Sequence, residues 1–532
     1  MSDRAPIEES RLPMPATVFS HRIPLAITPA ARLSFRATRY RFPRTVFLEA
    51  FTMAEATTTI NSGDALKGGT FLGHPVGLFV LFFTEMWERF SYYGMRSLLV
   101  LYMVKYLFIQ PDVGARVLGF TALKGFLEAV FHTHFDVQPL SSQIYGLYTG
   151  FVYFTPFFGG LLADRVLGQR KTVIVGAILM AIGHFLMASE NMFFVALMFL
   201  IFGNGCFKPN ISTQVGLLYP QGDPRRDRAF SIFYVGINLG AFLAPLVCGT
   251  LGQNPKFGWH WGFGAAGVGM LLGLVIYLWG GKYLAPDVLA QRKAAEQKSK
   301  VAAAKEPLTK EEWLRVGALI VACAVVAAFW AVYEQQGNTM QLWADTNTRW
   351  KIGGWTMPTT WFQSFNPFMI FLFTPLLTSL WAWQSARGKE PSSLNKMATG
   401  LFLLGISYIV MIIAAGPMAT GAMAPDAKRS LLWLVGATGI ATFGELFLSP
   451  IGLSFVTKVA PARIVSMMMG VWFLANFIGN YMSGYLGTYW EKISHQQFFI
   501  LMTAIGVIAG LVLFIMSKPL DKIVSAHDRL ES

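Results

Sequence analysis

Residues 84–102 read TEMWERFSYYGMRSLLVLY, inside an apolar run that begins near Val76. Within about three helical turns this stretch carries Glu85, Glu88, Arg89 and Arg96. At 100° per residue these four, with Tyr92 and Tyr93, share one face roughly 140° wide. One charge at the centre of a bilayer costs roughly 3 kcal/mol or more. Two acids and two bases on a single face therefore look into a polar cavity or at one another, not at lipid.

The rest of the chain supports a membrane setting. Of 532 residues, 54% are hydrophobic and 14% charged, against about 25% charged in an ordinary soluble domain. Mean hydropathy is +0.47, and apolar stretches near 20 residues recur. Gly (51), Phe (45) and Trp (15) are plentiful, as expected of closely packed helices with aromatic belts. The net charge of +14 fits basic loops on the cytoplasmic side, and the apolar background argues against nucleic acid as a partner. Cys206, Cys248 and Cys323 all fall in apolar spans. They form no disulfide framework or metal-ligand spacing, and no cofactor or metal is expected.

Twelve spans are expected, at roughly 74–105, 143–163, 171–189, 193–219, 229–250, 261–283, 313–335, 358–383, 396–416, 429–457, 464–488 and 496–516. Residues 1–70, rich in arginine and proline, read as a disordered cytoplasmic tail, with Met53 as an alternative start. The first six-helix bundle occupies 71–284 and contains a loop insertion, 106–142, whose amphipathic piece Phe120 to Phe131 reads as an interfacial helix. The charged, Ala-rich stretch 285–312 is a cytoplasmic linker, 313–517 a second six-helix bundle and 518–532 a cytoplasmic tail.

Basic residues gather in alternate loops: Arg165, Arg170 and Lys171; Arg225, Arg226 and Arg228; the linker; Arg387 and Lys389. That bias places both termini in the cytoplasm of a multi-pass protein of the cell (plasma or inner) membrane. Two six-span halves joined by a charged linker make the all-α architecture of the major facilitator superfamily, with a substrate site between the halves. The run from Gly160 through Asp164 and Arg165 to Lys171 resembles that superfamily's signature loop, and Asp164 with its basic neighbours would lock the cytoplasmic ends of helices in one state.

Three more ionisable residues sit in spans: Lys208 in GNGCFKPNISTQ, Glu334 in FWAVYEQQGNT and Glu445 in TFGELFLSPIG. Four carboxylates then face three cations. Such a cavity suits a small zwitterion, with Arg96 and Lys208 for a carboxylate and Glu445 for an ammonium group. A carboxylate left over is free to load and release a proton. A Lys208–Glu334 pair would bridge the halves and switch when Glu334 is protonated or substrate takes Lys208.

Glu85-Met-Trp-Glu88-Arg89-Phe90-Ser-Tyr92-Tyr93-Gly94-Met95-Arg96 resembles the first-helix signature of the proton-dependent oligopeptide transporter family, and Phe233-Tyr234 with Ile237-Asn238 and Gly240 resembles its second. The resemblance runs from about 72 to 515 and implies proton-coupled symport of di- and tripeptides by alternating access, by a functional monomer. It implies proton-coupling roles for Glu85, Glu88 and Arg89, and for Glu334 as the partner of Lys208. Arg96 and Lys208 would receive the peptide carboxylate, Glu445 with Asn366 the amine, and Asn238 the peptide backbone. Tyr92, Tyr153, Trp330 and Trp472 match pocket positions for varied side chains. The tail and the long insertion depart from the family pattern, and the linker is too short and charged for the extra helices that many bacterial members carry there. Span two lacks the histidine that animal members use, and His184 reads as a satisfied structural residue. A relative moving nitrate or another small anionic or zwitterionic solute is the alternative; Glu445 would have no amine to bind there. No nucleophile–base set or phosphate loop supports an enzyme, and a passive channel has no use for paired charges in both halves.

Overall fold

The computed structural model describes residues 69–220, 222–287, 289, 308–417, 421–461 and 464–528. The expected N-terminal tail up to residue 68 and linker residues 290–307 lie outside them.

Twelve long helices follow one another: α1 (Val76–Tyr102), α2 (Val137–Phe154, continued by Pro156–Leu162), α3 (Gln169–Leu186), α4 (Phe193–Leu217), α5 (Arg225–Ala244), α6 (Trp259–Gly280), α7 (Lys310–Tyr333), α8 (Phe365–Ser385), α9 (Ser393–Ala415), α10 (Leu431–Val459), α11 (Val465–Gly487) and α12 (His495–Asp528). Among the described residues, α4–α10 and α12 are long and apolar enough to cross a membrane by length and composition alone. Local chemistry sets several starts. Thr309 and Glu312 form a reciprocal capping box at α7, and the Ser392 and Ser430 hydroxyls accept from backbone amides at the starts of α9 and α10. At the turn before α5, Arg225 hydrogen-bonds Asp223 and holds its carboxyl below the usual carboxylate range.

Two apolar cores form, one from α1–α6 and one from α7–α12. Val100 and Leu101, near the end of α1, belong to the second core, so the halves meet there. We call that end of the bundle the top and the end where α1 starts the base.

Most of the top seam is polar and uncharged. Gln138 donates to the Gly487 carbonyl (3.1 Å) and Ser142 to Asn338 (2.8 Å). Gln253 meets Thr359 (2.8 Å) and Thr360, and Trp361 donates to Thr250 (2.9 Å). One ion pair, Lys105–Asp345 at 2.8 Å, joins them. Two glycines permit the approach of α2 and α11: a Cβ on Gly146 would sit 2.5 Å from Gly484 Cα. Gly484→Val is therefore expected to hold the tops of α2 and α11 apart, penalising the closed arrangement by about 1–3 kcal/mol. A longer distance between spin labels on the two helix tops reads this directly; an unchanged distance would show that the seam tolerates the bulk.

Two boundaries differ from expectation. The second span begins at Val137, not 143. Its first turns, with Gln138, Ser141, Ser142 and Gln143, read as a loop by polarity, yet all four are buried; Gln138 and Ser142 face the seam, and Ser141 bonds the Val137 carbonyl of its own helix. The last helix continues through Pro519 to Asp528, into the stretch expected as a tail. The amphipathic piece of the insertion forms a helix over Phe120–Phe131, as expected.

Candidate functional site

The charged face of α1 divides into two clusters. In the first, Arg89 Nε lies 3.1 Å from Glu85 and also contacts Glu88, which accepts from Asn204 of α4 at 3.2 Å. All three α1 residues are at most 4% exposed. Glu85 Oε2 and Arg89 Nη2 have no protein partner among the described residues. An acid pair sharing one guanidinium leaves the cluster with one negative charge in excess, away from water.

The second cluster joins the halves. Arg96 contacts Glu334 through Nη2 and donates from Nε to the Tyr145 hydroxyl at 2.8 Å, while that hydroxyl lies 3.5 Å from the same Glu334 oxygen. Glu334 owes its position to a break in the chain. α7 ends at Tyr333, a 3₁₀ turn covers Glu334–Gly337, and helix resumes at Thr339–Asn347. Gly337 is needed because a Cβ there would sit 1.9 Å from the Tyr145 oxygen. A 3₁₀ interruption inside a long helix commonly marks a hinge.

The expected Lys208–Glu334 pair is not made in this arrangement. Glu334 faces Arg96, and Lys208 Nζ instead lies 4.5 Å from the Tyr153 ring centroid. Among the described residues no carboxylate lies within the 4 Å of an ion pair from Lys208. The guanidinium wins because it reaches Glu334 and Tyr145 together, through two donors in a fixed fork.

Glu445 forms a third group, within the second half. It accepts from the Tyr333 hydroxyl at 2.5 Å and from Asn366 at 2.8 Å, and Asn366 also donates to Thr442 at 3.1 Å. It is partly exposed and has no cation beside it among the described residues. Trp330 and Tyr153 face each other across the halves at 6.5 Å, with Tyr333 edge-on to Trp330 at 5.4 Å. Tyr92 lies under the Arg89 guanidinium at 5.4 Å.

Asn238 and Trp472 are held within their own halves. Asn238 donates to the Tyr234 carbonyl of its own helix at 3.0 Å. Trp472 is buried against α10, where a Cβ on Gly452 would meet its ring at 2.3 Å. Asp164 and Arg165 lie in a π turn at the base. The following loop is clasped within its own half: Arg170 donates to the Gly281 carbonyl (2.7 Å), and Gly168, at φ +79°, lies against Asp287. His184 is buried as expected but not satisfied, since its Nδ1 has no partner among the described residues. An apolar cavity of about 420 Å³ between α1, α5 and α6 is lined by Met86, Trp87 and Phe90. These lie on the face of α1 opposite the charges, so the cavity is no part of the site. Tyr145, Tyr333, Asn204 and Thr442 escaped the sequence reading. The signal for Tyr145 was a stripe of Gln138, Ser142, Tyr145 and Thr149 at helical spacing.

Known proteins share this architecture. A family model described as the POT family matches residues 170–305 and 282–508. The uncharacterized transporter YclF of Bacillus subtilis is 35% identical over 85% of this chain and 95% of its own. The peptide transporter YePEPT of Yersinia enterocolitica is 32% identical over 86% and 97%. A crystal structure of a mutant peptide transporter POT in complex with alafosfalin superposes with a TM-score of 0.73, at 32% identity, covering 87% of this chain and 99% of that one. The fold is that of the major facilitator superfamily, with twelve helices crossing the membrane, and with the family model and relatives agreeing over most of its length, the chain belongs to the POT family.

Proposed function

We propose that the protein is a proton-coupled symporter that imports di- and tripeptides by alternating access, as a monomer in the cell membrane. The observation that carries this reading is the cross-half Arg96–Glu334 pair together with Glu445, held separately by Tyr333 and Asn366: a switchable ion pair with separate groups for a carboxylate and an amine. Relatives named peptide and di-/tripeptide transporters support it. The basic loops lie at the base, which favours a cytoplasmic base and an external top. On that assignment, the arrangement described here is closed to the outside.

The steps then follow from charge balance. With Glu334 ionised, Arg96 is held and the top stays closed. When Glu334 takes a proton, Arg96 is released to bind a peptide carboxylate with Lys208. The peptide amine displaces the Tyr333 and Asn366 donors at Glu445 or shares that carboxylate with them. The Glu85–Glu88–Arg89 group supplies a second place for a proton.

Tyr145 positions the pair, so Tyr145→Phe is expected to weaken the closed arrangement by about 1–3 kcal/mol by leaving Arg96 Nε without its partner. Gradient-driven uptake should fall while equilibrium peptide binding in detergent is kept; a parallel loss of both would make Tyr145 a substrate contact instead.

The deciding experiment is uptake of a labelled dipeptide into proteoliposomes with an inward proton gradient, with and without an uncoupler. Accumulation that collapses with the gradient is expected. No uptake, or accumulation without a gradient, would overturn the proposal.

A further inference from the structure

The segment between α1 and α2 is far longer than a turn between neighbouring helices requires, and the groups above give it no task. It leaves α1 through a π turn, Met103–Leu107, forms one helical turn at Val113–Arg116, then the helix Phe120–Phe131. Positive-φ residues bound that helix, Gly119 at 81° and His132 at 48°.

Its first part is fastened to its own half. Arg116 bonds Asp112 (3.0 Å) and Glu190 (2.9 Å), Tyr106 donates to Glu190 (2.6 Å), and the Leu118 amide donates to the Asn191 carbonyl (3.0 Å). Its return is fastened to itself, where Glu128 accepts from the Phe135 amide (3.0 Å) and meets His134 (2.9 Å). Besides the Lys105–Asp345 pair at its start, the segment reaches the other half through the Phe131 ring, which stacks on Tyr485 of α11, centroids 5.7 Å apart and planes 26° from parallel. Tyr485 follows Gly484, the glycine on which Gly146 closes, so the stack caps the seam.

The helix has three sides. Phe120, Leu127 and, in part, Phe131 are turned to the bundle. Phe126 (64% exposed) and Val130 (53%) extend that apolar arc outward. Lys124 and Glu128 stand on the remaining side. An apolar arc flanked by charge, on a helix at the end of the membrane spans, fits a bilayer interface.

We propose that the insertion is a strap, seated in the interfacial layer of the outer leaflet, that holds the external gate closed through Phe131 on Tyr485. The word external rests on the sidedness proposed above; the latch itself does not. A rigid arm bonded to one half and stacked on the other adds a contact that opening must break. Through Phe126 and Val130 the bilayer sets the height of that arm.

Two measurements in lipid nanodiscs, on full-length protein with Cys206, Cys248 and Cys323 replaced by serine, test it without peptide or proton gradient. Nitroxides on Lys256→Cys and Glu491→Cys read the distance between the halves. Phe131→Ala and Tyr485→Ala should each lower the closed-to-open ratio about two- to tenfold, the range of one aromatic pair, and the double variant should lower it no further than either single one. Phe131→Leu keeps an apolar side chain on the bundle and should shift the ratio likewise, which guards against misfolding as the cause. An unchanged ratio, or additive effects of the two truncations, overturns the latch. A fluorophore on Phe126→Cys should be quenched by lipids spin-labelled near the headgroup, and one on Lys124→Cys should not; equal quenching at both overturns the seating. Neither readout depends on the solute carried, so a protein that fails the uptake experiment can still confirm or overturn the strap.

Discussion

Glu334→Gln is expected to abolish proton-driven peptide accumulation while leaving exchange of peptide for peptide across the membrane. The carboxylate does two things in the structure: it closes the ion pair with Arg96, and it receives the Tyr145 hydroxyl. The amide keeps the shape and loses the charge. Arg96 is then a buried cation without a counter-charge, a loss of about 3–5 kcal/mol on the closed arrangement when one partner of a buried pair is removed. A shift of that size, about 100-fold or more in the ratio of the two arrangements, no longer responds to protons, since the titrating atom is gone. Counterflow needs the loaded carrier to reorient and does not need that atom to ionise. Both modes are measured in the same proteoliposomes by preloading peptide or imposing a gradient. If the variant still concentrates peptide, the proton that drives transport is held elsewhere, and the Glu85 group becomes the first place to look.

Glu445→Gln tests the other end of the substrate. The carboxylate is held by Tyr333 and Asn366 and carries no cation of its own among the described residues, so its charge is available to an ammonium group. Removing it should weaken peptides with a free amino terminus by about 1.5–3 kcal/mol, the range for a hydrogen bond to a charged group, or roughly 10- to 150-fold in affinity. N-acetylated peptides, which never use the charge, should change little. Competition of each class against one labelled dipeptide gives the comparison. Equal weakening of both would mean that Glu445 supports the shape of the wall and not the amine.

Sequence reading drew its candidates from positions where the cost of an alternative was large. A charge in lipid is so unfavourable that Glu85, Glu88, Arg89 and Arg96 had to turn inward, where the first three are buried and Arg96 meets Glu334, and the same cost picked out Lys208, Glu334 and Glu445. It failed where partners depend on the state of the machine. Lys208 and Arg96 are both cations with reach, and only the 3₁₀ turn at Glu334–Gly337 decides that Arg96 and Tyr145 receive the carboxylate in this arrangement. Tyr145 and Tyr333 carry no charge, so the cost that picked out the ionisable residues did not point to them. The start of α2 was missed because Gln138 and Ser142 are loop-like by type, and their burial depends on Asn338 and Gly487 of the other half.

The composition of the top seam has a thermodynamic consequence. Its amides, hydroxyls and glycines are groups that water solvates about as well as they solvate one another. Parting them exposes polar area, which offsets part of the heat capacity of the hydrocarbon uncovered with it at Val100, Leu101 and the Phe131–Tyr485 stack. The enthalpy of swinging the gate between dry and wet therefore varies less with temperature than that of an all-apolar seam. Lys105–Asp345, about half exposed on the lysine side, is the part of the gate that added salt can loosen. A greasy seam of the same area would have closed once and stayed shut.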